Sequence, residues 1–410
     1  VGEFPAFGDS QTRAIGTPDE GKTSWAEGDE LLLEIDNTSY GKQYATFTYN
    51  GKSWELTSGE LVYREGDPAY IPHVYYAPNY KWEAGKLVLK EGKDPGTDEY
   101  IEGNARISGN GEDINVSFAE ATGNYSRLRI ATMPNKPITV AISKYTPAGS
   151  SDMKWDQNYA LTSDEKGNAY LYGTFENNSE VTVKYREATL ATHTFLQKTE
   201  NAMSYALDAT VISVNSAEEI KSAIEQKVAD GKTTIRLNLA PNAGTNEFMA
   251  IREAIKGAAP NDLGTIELTI IGVETIPKEA FYKMLQLKSV RMSDVKEIKK
   301  YAFKECQYLT VVEAPSLNKL CSGAFKKCDQ LAKLTFGPIN YADERNWPIF
   351  EYITPNIDLI LSDYQKEMIE TDSYLYTANN DRDYAGSDEH NSKNFLGREF
   401  RSITCRYKVK

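Results

Sequence analysis

The residues with the richest chemistry are few and scattered. His73, His193 and His390 stand far apart in a chain of 410 residues. A metal centre or catalytic triad built from them needs three distant stretches to converge, and no HExxH, GxSxG or phosphate-loop pattern accompanies them. They read as strand-face or surface histidines. The four cysteines, Cys306, Cys321, Cys328 and Cys405, form no CxxC pair and have no histidine close by, so zinc is not expected. The run from Asn380 to Gly386 has the opening of an EF-hand loop. Counted from Asp381, the fifth position is Ala385 and the twelfth is Ser392, where calcium needs a bidentate acid. An exposed acidic loop is the preferred reading. Neighbouring carboxylates such as Asp98-Glu99 separate no acid role from a base role and read as solvated. No catalytic residue, metal ligand or cofactor is nominated, and the chain is read as non-enzymatic.

Charge narrows the partners. The net charge is −13. Such a chain lacks the phosphate-neutralising charge that dominates nucleic-acid affinity, and an anionic bilayer repels it. No stretch approaches the roughly 20 apolar residues of a membrane span. The chain starts at Val1 with no basic-then-apolar leader, which reads as a trimmed product.

The elements that would position any site fall into two kinds. Leu31, Leu33 and Ile35 alternate, as do Ala45, Phe47 and Tyr49, followed by Asn50-Gly51, a hairpin signal. Strands are expected around Val74–Tyr76 and Lys86–Leu89. Tyr75, Tyr76, Tyr80 and Trp82 read as core aromatics, with a sugar platform as the alternative. A Gly- and Asp-rich run, 94–112, marks a boundary. Alternation resumes at Ile114, Val116 and Phe118 and continues to Tyr205–Val211. At Ser216 the period changes. Ser216 with Glu219 makes a capping box, and Ile220, Ile224 and Val228 recur at helical spacing. Helix and strand then alternate to Ile270.

Beyond that point the sequence repeats itself. Phe281, Phe303 and Phe325 are 22 residues apart. Ala280, Ala302 and Ala324 keep step, as do Met284, Cys306 and Cys328, and Leu287, Leu309 and Leu331. Three further registers agree: Val290, Val312 and Leu334; Ile276, Ile298 and Leu320; Val273, Val295 and Leu317. Such a unit cannot bury its apolar side alone, so like residues must stack in ladders. Cys306 and Cys328 read as rungs of a ladder, with a mutual disulfide or a reactive thiol as alternatives. Between the ladder positions the strand face exposes Ser289, Arg291, Glu313, Lys333 and Thr335, the candidate partner-binding residues. Residues 281–333 hold 11 Lys/Arg and 5 Asp/Glu. The lysines of the connecting arm form a solvated face, with polyanion binding as the alternative.

Two resemblances follow. The unit from Leu287 to Cys306, and after it Leu309 to Cys328, is similar to the BspA-like class of bacterial leucine-rich repeat, with the pattern L-x-x-V-x-(L/M)-x-x-V-x-x-I-x-x-x-A-F-x-x-C. That resemblance implies a surface or secreted protein concerned with attachment. The N-terminal half resembles the fimbrillin family of Bacteroidales surface proteins. The residues carrying this are Thr12-Arg13-Ala14, Trp25 with Gly28-Asp29, Tyr75-Tyr76-Ala77-Pro78, and Ile114 to Ile130 with Ser126-Arg127-Leu128. Glu120 stands where that family usually has His. This second resemblance implies a fimbrial or lipoprotein context.

The expected architecture is multidomain: two all-β sandwich domains, 1–108 and 109–213, then a short α/β leucine-rich-repeat solenoid, 214–410. Its repeats span about 265–336, between a helical N-terminal cap and a C-terminal cap. The expected function is adhesion or binding outside the cell, to a protein or glycan, with the repeats displayed on a fimbrillin-like stalk. A structural or accessory fimbrial subunit, which would contact other fimbrial subunits, and a surface glycan-binding accessory protein are the alternatives. The expected location is the cell surface, as an outer-membrane lipoprotein or with fimbriae, or the medium.

Overall fold

The structure is a computed structural model. It describes residues 1, 8–9, 22, 24–62, 66–108, 113–118, 125–186, 188–343, 349–353, 356–362, 394–396 and 398–407. Thr12-Arg13-Ala14, Glu120, the run 380–386 and His390 lie outside them. Strands dominate, arranged in several sheets, with two helices among the described residues. The chain divides into two compact units: 1–184 with 191–210, and 185–190 with 211–410.

The first unit is mainly antiparallel. A six-stranded sheet runs in the order Trp54–Gly59, Gly41–Tyr49, Glu30–Asn37, Ala69–Tyr76, Ile101–Ser108, Asp113–Ser117. The Asn50-Gly51 hairpin forms as expected. Asn50 Oδ1 accepts from the amides of Lys52 (2.9 Å) and Ser53 (2.8 Å), and Gly51 takes φ +87°, a left-handed value that glycine adopts without strain. Ile101–Ser108 and Asp113–Ser117 pair antiparallel, so the run read as a domain boundary at 108/109 joins two strands of one sheet. Gly and Asp serve turns as readily as linkers, which is why composition alone misleads there. A second sheet centres on Ser126–Ala131, Asn168–Phe175 and Pro137–Pro147. Leu31, Leu33, Val74, Ile101 and Val116 from the six-stranded sheet share an apolar cluster with Tyr125, Ala148 and Tyr172.

Tyrosine does much of the filling here. Each buried phenol needs a partner, because an unmade buried hydrogen bond costs more than a made one contributes. Tyr145 Oη donates to the Tyr172 carbonyl at 2.6 Å and Tyr159 Oη to the Pro95 carbonyl at 2.8 Å. Tyr76 Oη donates to Asp29 at 3.0 Å and Tyr125 Oη to Glu99 at 2.9 Å. Tyr76 and Tyr80 are buried, and Trp82 packs against Tyr44 at 4.7 Å between centroids, which places that aromatic cluster with the core. The expectation that Asp98-Glu99 is solvated is overturned. Glu99 is 2% exposed, and burial pushes its carboxyl up to about 8 against the opposing pull of Tyr125 and Arg127. Its loop folds inward because Tyr125 offers a donor there.

The second unit is parallel. Eight strands form one sheet in chain order: Ile212–Val214, Thr234–Leu239, Ile266–Ile271, Leu287–Met292, Val311–Ala314, Lys333–Phe336, Asp358–Ser362 and Ser402–Tyr407. Four short strands, Thr275–Ile276, Glu297–Ile298, Lys319–Cys321 and Tyr341–Asp343, form a second parallel sheet. Each 22-residue unit thus contributes one strand to each sheet. The helix Ala217–Ala229 starts at its capping box: Ser216 Oγ accepts from the Glu219 amide at 3.2 Å, and Glu219 accepts from the Asn215 amide at 2.7 Å. Ile220 and Ile224 point into the core; Val228 is partly buried against it. The helix Thr245–Ala258 adds Phe248, Ile251 and Ile255. A single apolar cluster runs from Val214 to Phe400.

Candidate functional site

The repeat segment is where like residues meet. Phe281, Phe303 and Phe325 stack at 5.1 and 5.4 Å between centroids, with interplanar angles of 19° and 7°. Phe350 adds a fourth ring at 5.7 Å and 8°. Phe248 and Phe400 close the column edge-on. Leu287, Leu309 and Leu331 are buried alongside. The backbone repeats too: the amides of Phe281, Phe303 and Phe325 donate to the carbonyls of Ala302, Ala324 and Ile349 at 2.8–3.0 Å.

Cys306 and Cys328 are free and buried. Each thiol donates to a carbonyl of the preceding unit, Cys306 to Phe281 at 2.9 Å and Cys328 to Phe303 at 3.0 Å. Burial pushes the Cys306 thiol up to about 12 and raises Cys328 as well. The thiolate needed for nucleophilic chemistry is therefore suppressed.

The strand face holds the five candidate binding residues in two rows. Glu267, Ser289, Val311, Lys333 and Asp358 are successive partners in one, and Thr269, Arg291, Glu313, Thr335 and Ile360 in the other. The charged side chains of the two rows pair across neighbouring strands. Arg291 lies 3.6 Å from Glu267 and 3.3 Å from Glu313, and Lys333 is 4.0 Å from Glu313. Burial disfavours the Glu267 charge, but a 2.9 Å bond from Lys288 and the Arg291 guanidinium outweigh it and hold this carboxyl below its usual range. Ser289 is only 3% exposed and accepts from Arg291 at 3.3 Å. Lys333 is exposed, Thr335 half-buried. The face is a charge-balanced ribbon.

The connecting arms differ. Each turns through left-handed residues at repeating positions: Glu279, Tyr301 and Gly323 with φ of 57–63°, then Lys283, Glu305, Lys327 and Tyr352 with φ of 56–62°. Only Gly323 takes this without strain; the others cost roughly 1–2 kcal/mol each. Lys304 sits over two rings, 5.2 Å from the Tyr282 centroid and 5.1 Å from Tyr301. Lys300 lies 4.9 Å from Tyr301, and Lys283 5.3 Å from Tyr282.

Elsewhere the chemistry is thin. His73 is partly buried beside Glu102 at 3.0 Å, and His193 lies edge-on to Phe195, its pKa lowered by burial. Among the described residues no group of three His, Cys, Asp or Glu side chains could hold a metal ion. Among the same residues no helix is long and apolar enough to cross a membrane.

Parallel strands at a 22-residue period, with stacked identical side chains inside, define a repeat protein segment. Residues 263–369 match the family described as BspA type leucine rich repeat region, in six copies. Comparison with curated proteins and with solved structures gives no match.

Two features escaped the sequence reading. Phe350 stands 25 residues after Phe325, three more than the period, so a fixed spacing passes over it. An apolar residue before a phenylalanine, as in Ile349-Phe350, was the available signal. The interleaving of Tyr282 and Tyr301 with lysines was visible as composition, but the shared Lys304 is a product of stacking.

Proposed function

We propose that this chain is a non-enzymatic binding protein of the bacterial cell surface or medium, whose repeat unit engages a partner and whose β-rich N-terminal part displays it. The match of residues 263–369 to BspA type repeats carries the reading. A rigid column of stacked rings supports it, because preorganised surfaces lose less entropy on binding. We read the second unit as a solenoid capped by the two helices and by the Ser402–Tyr407 strand, and the first as fimbrillin-like sandwiches. The test places residues 1–210 and 211–410 on an array of matrix proteins and glycans, the cut falling before the first strand of the parallel sheet. Binding confined to 211–410 is expected. Binding confined to 1–210 would overturn the assignment of the adhesive part.

A fimbrial subunit is the second reading. It is favoured by a cavity of about 350 Å³ whose lining includes Leu31, Leu33, Phe47, Trp54, Ile114 and Val116 beside Asp113, apolar side chains of the kind that receive those of an added strand. It predicts concentration-dependent self-association of the full chain, readable by light scattering.

A further inference from the structure

The charge of the repeat arms is out of keeping with the chain that carries them. The three arm segments 278–284, 299–306 and 321–328 contain seven lysines and two glutamates, within a chain of net charge −13. Part of this excess is answered locally. Lys326 pairs with buried Glu351 at 2.6 Å, and Glu305 lies 3.5 Å from Lys283 and 3.6 Å from Lys304. Among the described residues no carboxylate lies within ion-pair distance of Lys299, Lys300 or Lys327. Lys299 and Lys327 are exposed. The strand face, by contrast, pairs its charges across neighbouring strands.

Geometry adds a second feature. Tyr282 and Tyr301 are partly exposed and are bracketed by Lys283, Lys300 and Lys304. The ammonium groups of Lys283, Lys300 and Lys304 themselves lie over the rings, so these three cations are positioned before any partner arrives. Lysines recur on successive rungs at two arm positions, Lys278 with Lys300 and Lys304 with Lys326, and the rungs beneath advance by 5.1 and 5.4 Å. Cations repeated along the stack, with partly exposed tyrosines among them, suit a linear polymer whose anionic groups recur and whose units have apolar C–H faces. We propose that the arm surface around Lys299, Lys300, Lys327, Tyr282 and Tyr301 binds an acidic polysaccharide, its sulfates or carboxylates on the lysines and its sugar rings against the tyrosines.

The proposal rests on the reading of the repeat unit as the binding part. The test uses the full chain on immobilised heparin, with a sodium chloride gradient. The wild-type chain is expected to be retained and to elute with salt, since exposed charge pairs are screened. The triple variant K299Q/K300Q/K327Q should bind at least about tenfold more weakly. A charge-matched control, K52Q/K86Q/K166Q in the first unit, should bind like wild type. Tyr282→Ala, checked for folding by circular dichroism, should lose affinity for heparin but not for linear polyphosphate, which has charge without rings. Flow-through of the wild-type chain, equal elution of the triple and control variants, or equal competition by polyphosphate and heparin would each overturn the polysaccharide assignment. Flow-through on heparin by a wild-type chain that still binds matrix proteins would overturn the polysaccharide assignment while leaving the adhesive reading in place.

Discussion

The two units solve the same problem, a strand-rich core, by opposite means. In the repeat unit the interior is written by copying. Phe stacks on Phe, Leu on Leu, and each buried thiol finds the same carbonyl one unit back. In the first unit nothing is copied. Tyr145, Tyr159, Tyr76 and Tyr125 each have a different acceptor, one of them a buried carboxyl. A copied core needs only that a residue suit its neighbours above and below. An uncopied core needs each polar atom to meet its one partner, so its specificity lies in individual hydrogen bonds.

The largest effect should come from breaking the column. Phe303→Ala removes a ring stacked on both sides and fully buried. A loss of about 3–5 kcal/mol is expected. Four of the five tryptophans, Trp25, Trp54, Trp82 and Trp155, belong to the first unit. Urea unfolding followed by far-UV circular dichroism should therefore shift while the tryptophan fluorescence transition stays in place. A joint shift would show that the two cores do not act separately.

Glu99→Gln probes the other core. Burial raises the folded-state carboxyl from 4.5 to about 8. Below about 4.5 both states hold the proton. Between about 4.5 and 8 the folded state keeps it and the unfolded state releases it, so stability falls as pH rises, by about 1.4 kcal/mol per unit from this group. Above about 8 the loss is complete. The amide keeps an acceptor for Tyr125 and carries no charge. The variant should show a flatter pH profile of the fluorescence midpoint and greater stability than wild type at pH 8. An unchanged slope would mean that the carboxylate is accommodated.

The smallest effect belongs to the strand face. Arg291→Ala breaks two partly exposed ion pairs, and exposed pairs contribute about 0–1 kcal/mol. The expected shift in the circular dichroism midpoint is correspondingly small. A large one would make the ribbon part of the scaffold rather than a surface.

The same contrast explains what could be read from sequence. Copying is visible as periodicity, so the ladders from Phe281 to Leu331 were legible in one dimension, as was the Ser216 cap, which is local. Phe350 was hidden by a three-residue insertion, although its ring lands in the column. Glu99 was illegible for a deeper reason. Its partner Tyr125 is 26 residues away, and an acid in a Gly-rich loop carries no mark of the fold that will bury it. Of the candidate residues, Arg291, Glu313, Lys333 and Thr335 keep at least part of their surface on the strand face, while Ser289 is covered. Alternation assigns a side, and the long neighbours on that side decide exposure.

The uniform register has a consequence for how such a chain can change. Ser289, Val311 and Lys333 succeed one another as strand partners at steps of 22 residues, as do Glu297 and Lys319 in the second sheet. Excising residues 287–308 would set Leu309 where Leu287 stood and bring Phe325 above Phe281, with every ladder still facing inward. Excising one residue would turn a whole strand inside out. The repeat unit is thus tolerant of large edits and intolerant of small ones. The length of its binding surface can be adjusted in whole rungs, without any contact having to be invented.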